Sequence, residues 1–165
     1  MKPPVFTGTC TALITPFQST GAIDYTAFAK QIDRQLEAGI DALCVCGTTG
    51  ESAALSAEEH VKLVDYCVDY VAGRCKVLAG PGSNDTVASL YLCQHAVLLV
   101  TPYYNKTTQT GLIHHYEYLA DRTELPVILY NVPSRTGLSF TAETYRILSQ
   151  HPRINGTKEA SGDFS

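Results

Sequence analysis

The 165-residue sequence has no CxxC pair and no Cys/His spacing typical of a metal site, although cysteines stand at positions 10, 44, 46, 67, 75 and 93. They read as buried or half-buried thiols of a reducing compartment, with Cys44 and Cys46 alternating to the same face of a predicted strand. There is no GxGxxG, no Walker lysine and no His/Asp/Glu ligand cluster, so neither a nucleotide binder nor a metal enzyme finds support, and no cofactor is expected. No apolar run approaches the roughly 20 residues of a membrane span. The first residues, MKPPVFTGTC, lack the apolar stretch of a signal peptide, so a cytoplasmic location is expected. Charge is scarce, at 17 % of residues, and the net charge of −4 with a pI near 5.7 argues against a nucleic-acid partner.

What is present is a 45 % apolar chain of a size that forms one domain with a real core. Strand-like runs alternate with helical patterns. GTCTALITPF (8–17) precedes a helix over 24–39, with Asp24 as N-cap and Gly39 as the stop. IDALCVCG (40–47) reads as a strand buried on both faces, and residues 56–73 as a helix opened by the capping box Ser56-x-x-Glu59. Val61, Val64, Val68 and Val71 mark one face of that helix.

Strands are then expected at 75–80, 96–104, 126–133 and 154–159, separated by helices at 83–96, 111–123 and 142–150. His114 and His115 are expected on an exposed helix face. Alternation of this kind predicts parallel βα units, here six strands and five helices. A closed βα barrel needs eight units in roughly 250 residues. The third and fourth strands start only about 21 residues apart, with no turn residues between helix and strand, so residues are expected to be missing near 94–97.

Polar segments, three of them glycine-bearing, follow the strands: CGTTGES (46–52), TPYYNK (101–106), YNVPSRTG (130–137) and TKEASG (157–162). In a parallel barrel such segments lie on the face that carries active sites. Singly, each has an ordinary account. Gly47 to Gly50 read as a turn, Tyr103 and Tyr104 as packing aromatics, and Arg135 and Lys158 as solvated charges. Their coincidence favours a site lined by tyrosine, threonine, arginine and lysine.

In that order, GTTGES, VTPYYNK, YNVPSRTG and TKEASG resemble the dihydrodipicolinate synthase family of Schiff-base aldolases and lyases, over nearly the whole chain. The resemblance implies a (β/α)8 TIM barrel. Residues 1–165 would then be an incomplete barrel domain lacking its C-terminal βα units. Lys158 matches the family's Schiff-base lysine, Tyr130 its proton-shuttling tyrosine, and Thr48 and Tyr104 the relay partners. Thr49 matches the pyruvate-carboxylate binder. Arg135 matches the arginine of the synthase branch, which binds the carboxylate of aspartate semialdehyde on the way to lysine and diaminopimelate.

The resemblance also implies a homo-oligomer, dimer or tetramer, because the tyrosine matching Tyr104 projects into a neighbouring subunit's site. A sibling aldolase acting on a sugar acid, such as N-acetylneuraminate lyase, and a catalytically incompetent fragment are the alternatives. At the family's inhibitory lysine site, Ser52, Ala53, His60, Asn84 and Tyr103 match, but Ala57 and Ala88 replace a histidine and a glutamate, so weak or absent inhibition by lysine is expected.

Overall fold

The structure, a computed structural model, describes residues 2–80, 83–92 and 98–163. The chain divides into two compact units, one of residues 6–80 and one of residues 81–165 joined by residues 1–5.

In the unit of residues 6–80, β1 (Cys10–Ala12), β2 (Ala42–Val45) and β3 (Lys76–Ala79) form a parallel sheet in that order. Helices α1 (Tyr25–Glu37) and α2 (Ala57–Val71) supply its cover. Asp24 caps α1 by accepting from the Ala27 N–H, and Gly39, at φ +75°, follows its C-terminus. The Ser56/Glu59 capping box forms in both directions. Phe28 and Ile32 from α1 and Leu63, Val64, Cys67 and Val71 from α2 are buried, as is every residue of β2.

One expectation for α2 fails. Val68 is exposed, and the buried stripe runs through His60, Leu63, Val64, Cys67 and Val71. Positions 60, 64, 67 and 71 follow the 3.6-residue period as well as the valines do, and the larger apolar mass on that side decides which face packs.

In the other unit, β4 (Leu98–Val100), β5 (Val127–Asn131) and β6 (Ile154–Glu159) form a second parallel sheet. Its helices are α3 (Thr86–Leu92), α4 (Gln109–Ala120), α5 (Pro133–Thr136) and α6 (Ala142–Leu148). Helix α4 starts two residues before the expected position because Thr108 caps it through the Gly111 N–H. The short α5 forms within the YNVPSRTG segment, where Pro133 at its first position supplies the preset φ. The inferred deletion near 94–97 falls on residues 93–97, outside the described residues.

Leu99, Leu112, Tyr116, Leu119, Val127, Leu129, Phe140, Leu148 and Ile154 form the core between this sheet and its helices. His115, expected at the surface, is buried in α4, where Nδ1 pairs with the Thr86 hydroxyl at 2.8 Å; His114 is exposed.

Strand β6 carries a bulge. Val127 stands opposite Ile154, but Ile128 stands opposite Gly156, so Asn155 is an extra residue. Ile154 packs into the helix-side core. Unbroken alternation would send Gly156 and Lys158 to that same side. The extra residue reverses the alternation and puts Lys158 opposite Tyr130 on the other face of the sheet.

Candidate active site

Thr48 and Thr49 lie in a tight loop after β2, in the unit of residues 6–80. Cys46 leaves the strand at φ +52°, and the Gly50 and Glu51 N–H groups donate back to the Gly47 and Thr48 carbonyls. The buried Thr15 hydroxyl donates to the Gly50 carbonyl at 2.6 Å and ties the loop to the segment after β1. Gly80 follows β3 directly under this loop. A Cβ there would stand 2.8 Å from the Cys46 carbonyl oxygen and 3.0 Å from Gly47 Cα. Both threonines face solvent at the C-terminal edge of the sheet. Burial, with Cys67 and Cys44 close by, pushes the Cys46 thiol up to about 12, so it is an inert packing group beneath the loop.

Tyr104, Tyr130, Arg135 and Lys158 belong to the other unit. Val100, Tyr130 and Lys158 form one row across β4, β5 and β6. Lys158 Nζ lies 4.5 Å from the Tyr130 ring centroid. An ammonium over an aromatic face at an exposed site gains about 0.5–1 kcal/mol. The Tyr130 carbonyl accepts from both the backbone N–H and the hydroxyl of buried Thr101, which fixes the start of the TPYYNK segment against β5. Tyr116 donates to the Leu99 carbonyl and the Thr101 hydroxyl from behind. Past Thr101 the chain turns outward. Tyr104 adopts φ +70° and is 88 % exposed. Arg135 sits in α5 just beyond β5, also exposed. Thus Tyr130 and Lys158 are brought into contact, Tyr104 points away from its own unit, and Arg135 stands at the same sheet edge.

Four residues went unnoticed in the sequence. Glu159, on the face opposite Lys158, accepts from Asn131 Nδ2 at 3.0 Å to each carboxylate oxygen, from the Tyr145 hydroxyl at 2.9 Å and from the Ser161 N–H at 2.8 Å. Partial burial opposes its charge, but these donors overcome that and bring its carboxyl down to about 2. Burial and the neighbouring Glu159 raise the Tyr145 phenol well above its ordinary value. An open groove of about 850 Å³ runs along this helix side of β6, lined by Lys2, Tyr145, Ser149, Asn155, Thr157 and Glu159. It lies behind the strand, away from the face that carries Lys158. Capping and turn patterns did not reveal this carboxylate and its donors, which come from β5, α6 and the loop after β6.

Among the described residues no group of three or more His, Cys, Asp or Glu side chains is disposed to hold a metal ion, and no helix is long and apolar enough to cross a membrane.

The 4-hydroxy-tetrahydrodipicolinate synthase of Magnetococcus marinus is 51 % identical over 167 residues, covering 97 % of this chain and 57 % of the relative. The crystal structure of dihydrodipicolinate synthase from Aquifex aeolicus superposes with a TM-score of 0.91 at 41 % identity, covering 94 % of this chain and 56 % of that one. YagE from E. coli K12, a prophage protein of the same family solved in complex with pyruvate, gives a TM-score of 0.93 at 33 % identity, over 96 % of this chain and 56 % of its own. The fold is therefore that of these TIM-barrel enzymes, represented among the described residues by six parallel strands and their helices, and the chain spans a little over half the length of the relatives it matches. A model of the dihydrodipicolinate synthetase family matches residues 5–165, and with nearly its whole length so matched, the chain belongs to that family.

Proposed function

We propose that this chain carries the catalytic residues of a 4-hydroxy-tetrahydrodipicolinate synthase, a lyase-class enzyme that condenses pyruvate with aspartate semialdehyde through a lysine imine. The observation that carries the reading is the contact between Lys158 and Tyr130 at the C-terminal end of a parallel sheet. The Lys158 amine adds to the pyruvate ketone, and loss of water leaves an iminium. This is an electron sink, so a methyl proton leaves to a base and an enamine forms. The enamine carbon then attacks the aldehyde of the second substrate. Tyr130 is the proton carrier beside the amine, and Thr48 and Tyr104 are its relay partners. Thr49 and its backbone neighbours bind the pyruvate carboxylate. Arg135, exposed beyond β5, offers a guanidinium fork for the carboxylate of aspartate semialdehyde.

Residues 1–165 supply the first six strands of a (β/α)8 barrel domain in this reading. The outward, 88 % exposed Tyr104 supports a homo-oligomer, dimer or tetramer, in which it serves a neighbouring subunit's site. The substrates are small molecules, the setting is cytoplasmic lysine and diaminopimelate biosynthesis, and neither nucleic acid nor membrane is a partner. With Ala57 and Ala88 in place of a histidine and a glutamate, lysine inhibits weakly or not at all; an inhibition curve with strong sub-millimolar sensitivity would refute this.

Two observations favour other readings. YagE shares the fold and family without being named a synthase, so a sugar-acid aldolase is the sibling alternative. Lys158 is exposed, whereas imine formation calls for a desolvated amine, which favours a non-catalytic role for the 165-residue chain by itself. The test is an assay of the chain, alone and extended by the C-terminal part of a relative, with pyruvate plus aspartate semialdehyde and with a sugar acid. Condensation by the extended chain supports the synthase. Cleavage of the sugar acid without condensation would replace it with the sibling.

A further inference from the structure

The face of β6 opposite Lys158 holds a carboxylate for which the proposed chemistry has no use. Glu159 collects four hydrogen bonds: two from Asn131 Nδ2, one from the Tyr145 hydroxyl and one from the Ser161 N–H. These donors come from the end of β5, from α6 and from the loop after β6. Asn131 is 2 % exposed and also donates to the Ser139 hydroxyl, so its amide is fixed by its surroundings. The Ala160 N–H donates to the Asn131 carbonyl and closes the same corner through the backbone.

The location matters because of the bulge at Asn155. A strand that takes up one extra residue has an alternative register one residue away, and a slip of one residue moves every side chain to the other face. In the slipped register Lys158 would leave Tyr130 and enter the helix side. Gly156 contributes nothing against the slip, since even an added Cβ would only touch Ile128 Cγ1 at 4.0 Å. Glu159 does oppose it, because the slip would take an anion from three donor groups and remove the carboxylate acceptor of Asn131 and Tyr145.

We propose that Glu159 is a positioning residue: clamped by Asn131, Tyr145 and the Ser161 N–H, it holds β6 in the post-bulge register and thereby keeps Lys158 Nζ on the Tyr130 ring. Its relevance to catalysis rests on the aldolase reading, but the positional claim is tested without pyruvate.

The experiment is proton–carbon NMR of the protein at pH 7, read at the Lys158 ε-methylene, alongside thermal unfolding. In the parent the Tyr130 ring current shifts these protons upfield, and Tyr130→Leu marks the unshifted position. Glu159→Ala is expected to move them at least half-way to that position. Glu159→Gln, which keeps one acceptor for Asn131 or Tyr145, moves them less, and Tyr145→Phe moves them part-way. Thr144→Ala, which removes hydrogen bonds of α6 to Thr141 and Gln109, lowers the melting temperature and leaves the Lys158 signal in place. If Glu159→Ala does not fold, Glu159→Gln and Tyr145→Phe decide. A Lys158 signal unmoved in the folded Glu159 and Tyr145 variants would overturn the proposal. A chain extended to the length of its relatives that forms no pyruvate adduct at Lys158 would sink the aldolase reading and leave this result standing.

Discussion

Lys158 Nζ rests 4.5 Å from the centroid of the Tyr130 ring, across a register pair of two parallel strands. The ring positions the amine and the phenol moves protons, and these two contributions are separable. Tyr130→Phe keeps the ring and is expected to slow pyruvate methyl-proton exchange into D2O by about 100-fold in the extended, active chain. Its unfolding free energy should stay within about 0.5 kcal/mol of the parent. Exchange at the parental rate would show that the phenol carries no proton.

The loop bearing Thr48 and Thr49 packs on Gly80 without room for a side chain. Gly80→Ala is expected to destabilise the protein by about 1–3 kcal/mol in urea unfolding, because the neighbouring atoms are backbone and cannot swing away. Gly156→Ala, with only an ordinary contact to Ile128, should change stability by less than about 1 kcal/mol. Equal effects at the two positions would contradict the packing of the loop.

Stability should fall in acid in two stages. Burial holds His60 and His115 down at about 4, from an ordinary 6.5. The unfolded chain takes up protons first, so their contribution is complete above pH 6.5 and is lost as pH falls to about 4. The drop from 6.5 to about 4 corresponds to at most roughly 3.5 kcal/mol per histidine. Glu159, down at about 2 from 4.5, adds a second loss below pH 4.5. Urea midpoints between pH 7.5 and 3 should trace this, and His115→Asn should flatten the first stage. A midpoint constant from pH 7 to 4 would contradict the burial of both imidazoles.

Near the N-terminus, the Lys2 ammonium donates to the carbonyls of Ser149, His151 and Ile154, where α6 ends and β6 begins. Lys2→Met is expected to cost about 1–2 kcal/mol, because three carbonyls lose a charged donor at a helix C-terminus. Differential scanning calorimetry checks this; an unchanged melting temperature would show that water replaces the ammonium without loss.

The parts of the fold visible in the sequence are those set by neighbouring residues. Asp24, Gly39, Ser56 and Glu59 announced their helix ends because a cap is a bond between near neighbours. The strands were visible as strand-like runs alternating with helical patterns. Partners distant in sequence were not visible. Val68 and His115 went to the opposite environments from those expected, since which helix face is buried depends on what lies across from it. The side to which Lys158 points was equally hidden, because it depends on a bulge at Asn155 that hydrophobic alternation does not encode. Glu159 reads in sequence as one more strand-end charge, and only the meeting of β5, α6 and the loop after β6 gives it four hydrogen bonds.

Borohydride reduction in the presence of pyruvate, followed by peptide mass mapping, tests the assignment of Lys158 most directly. On the chain extended to the length of its relatives, a single adduct is expected, on Lys158. On the 165-residue chain, where Lys158 is exposed, little adduct should form. An adduct on Lys2, Lys30, Lys62, Lys76 or Lys106 of the extended chain, or none at all, would contradict the assignment.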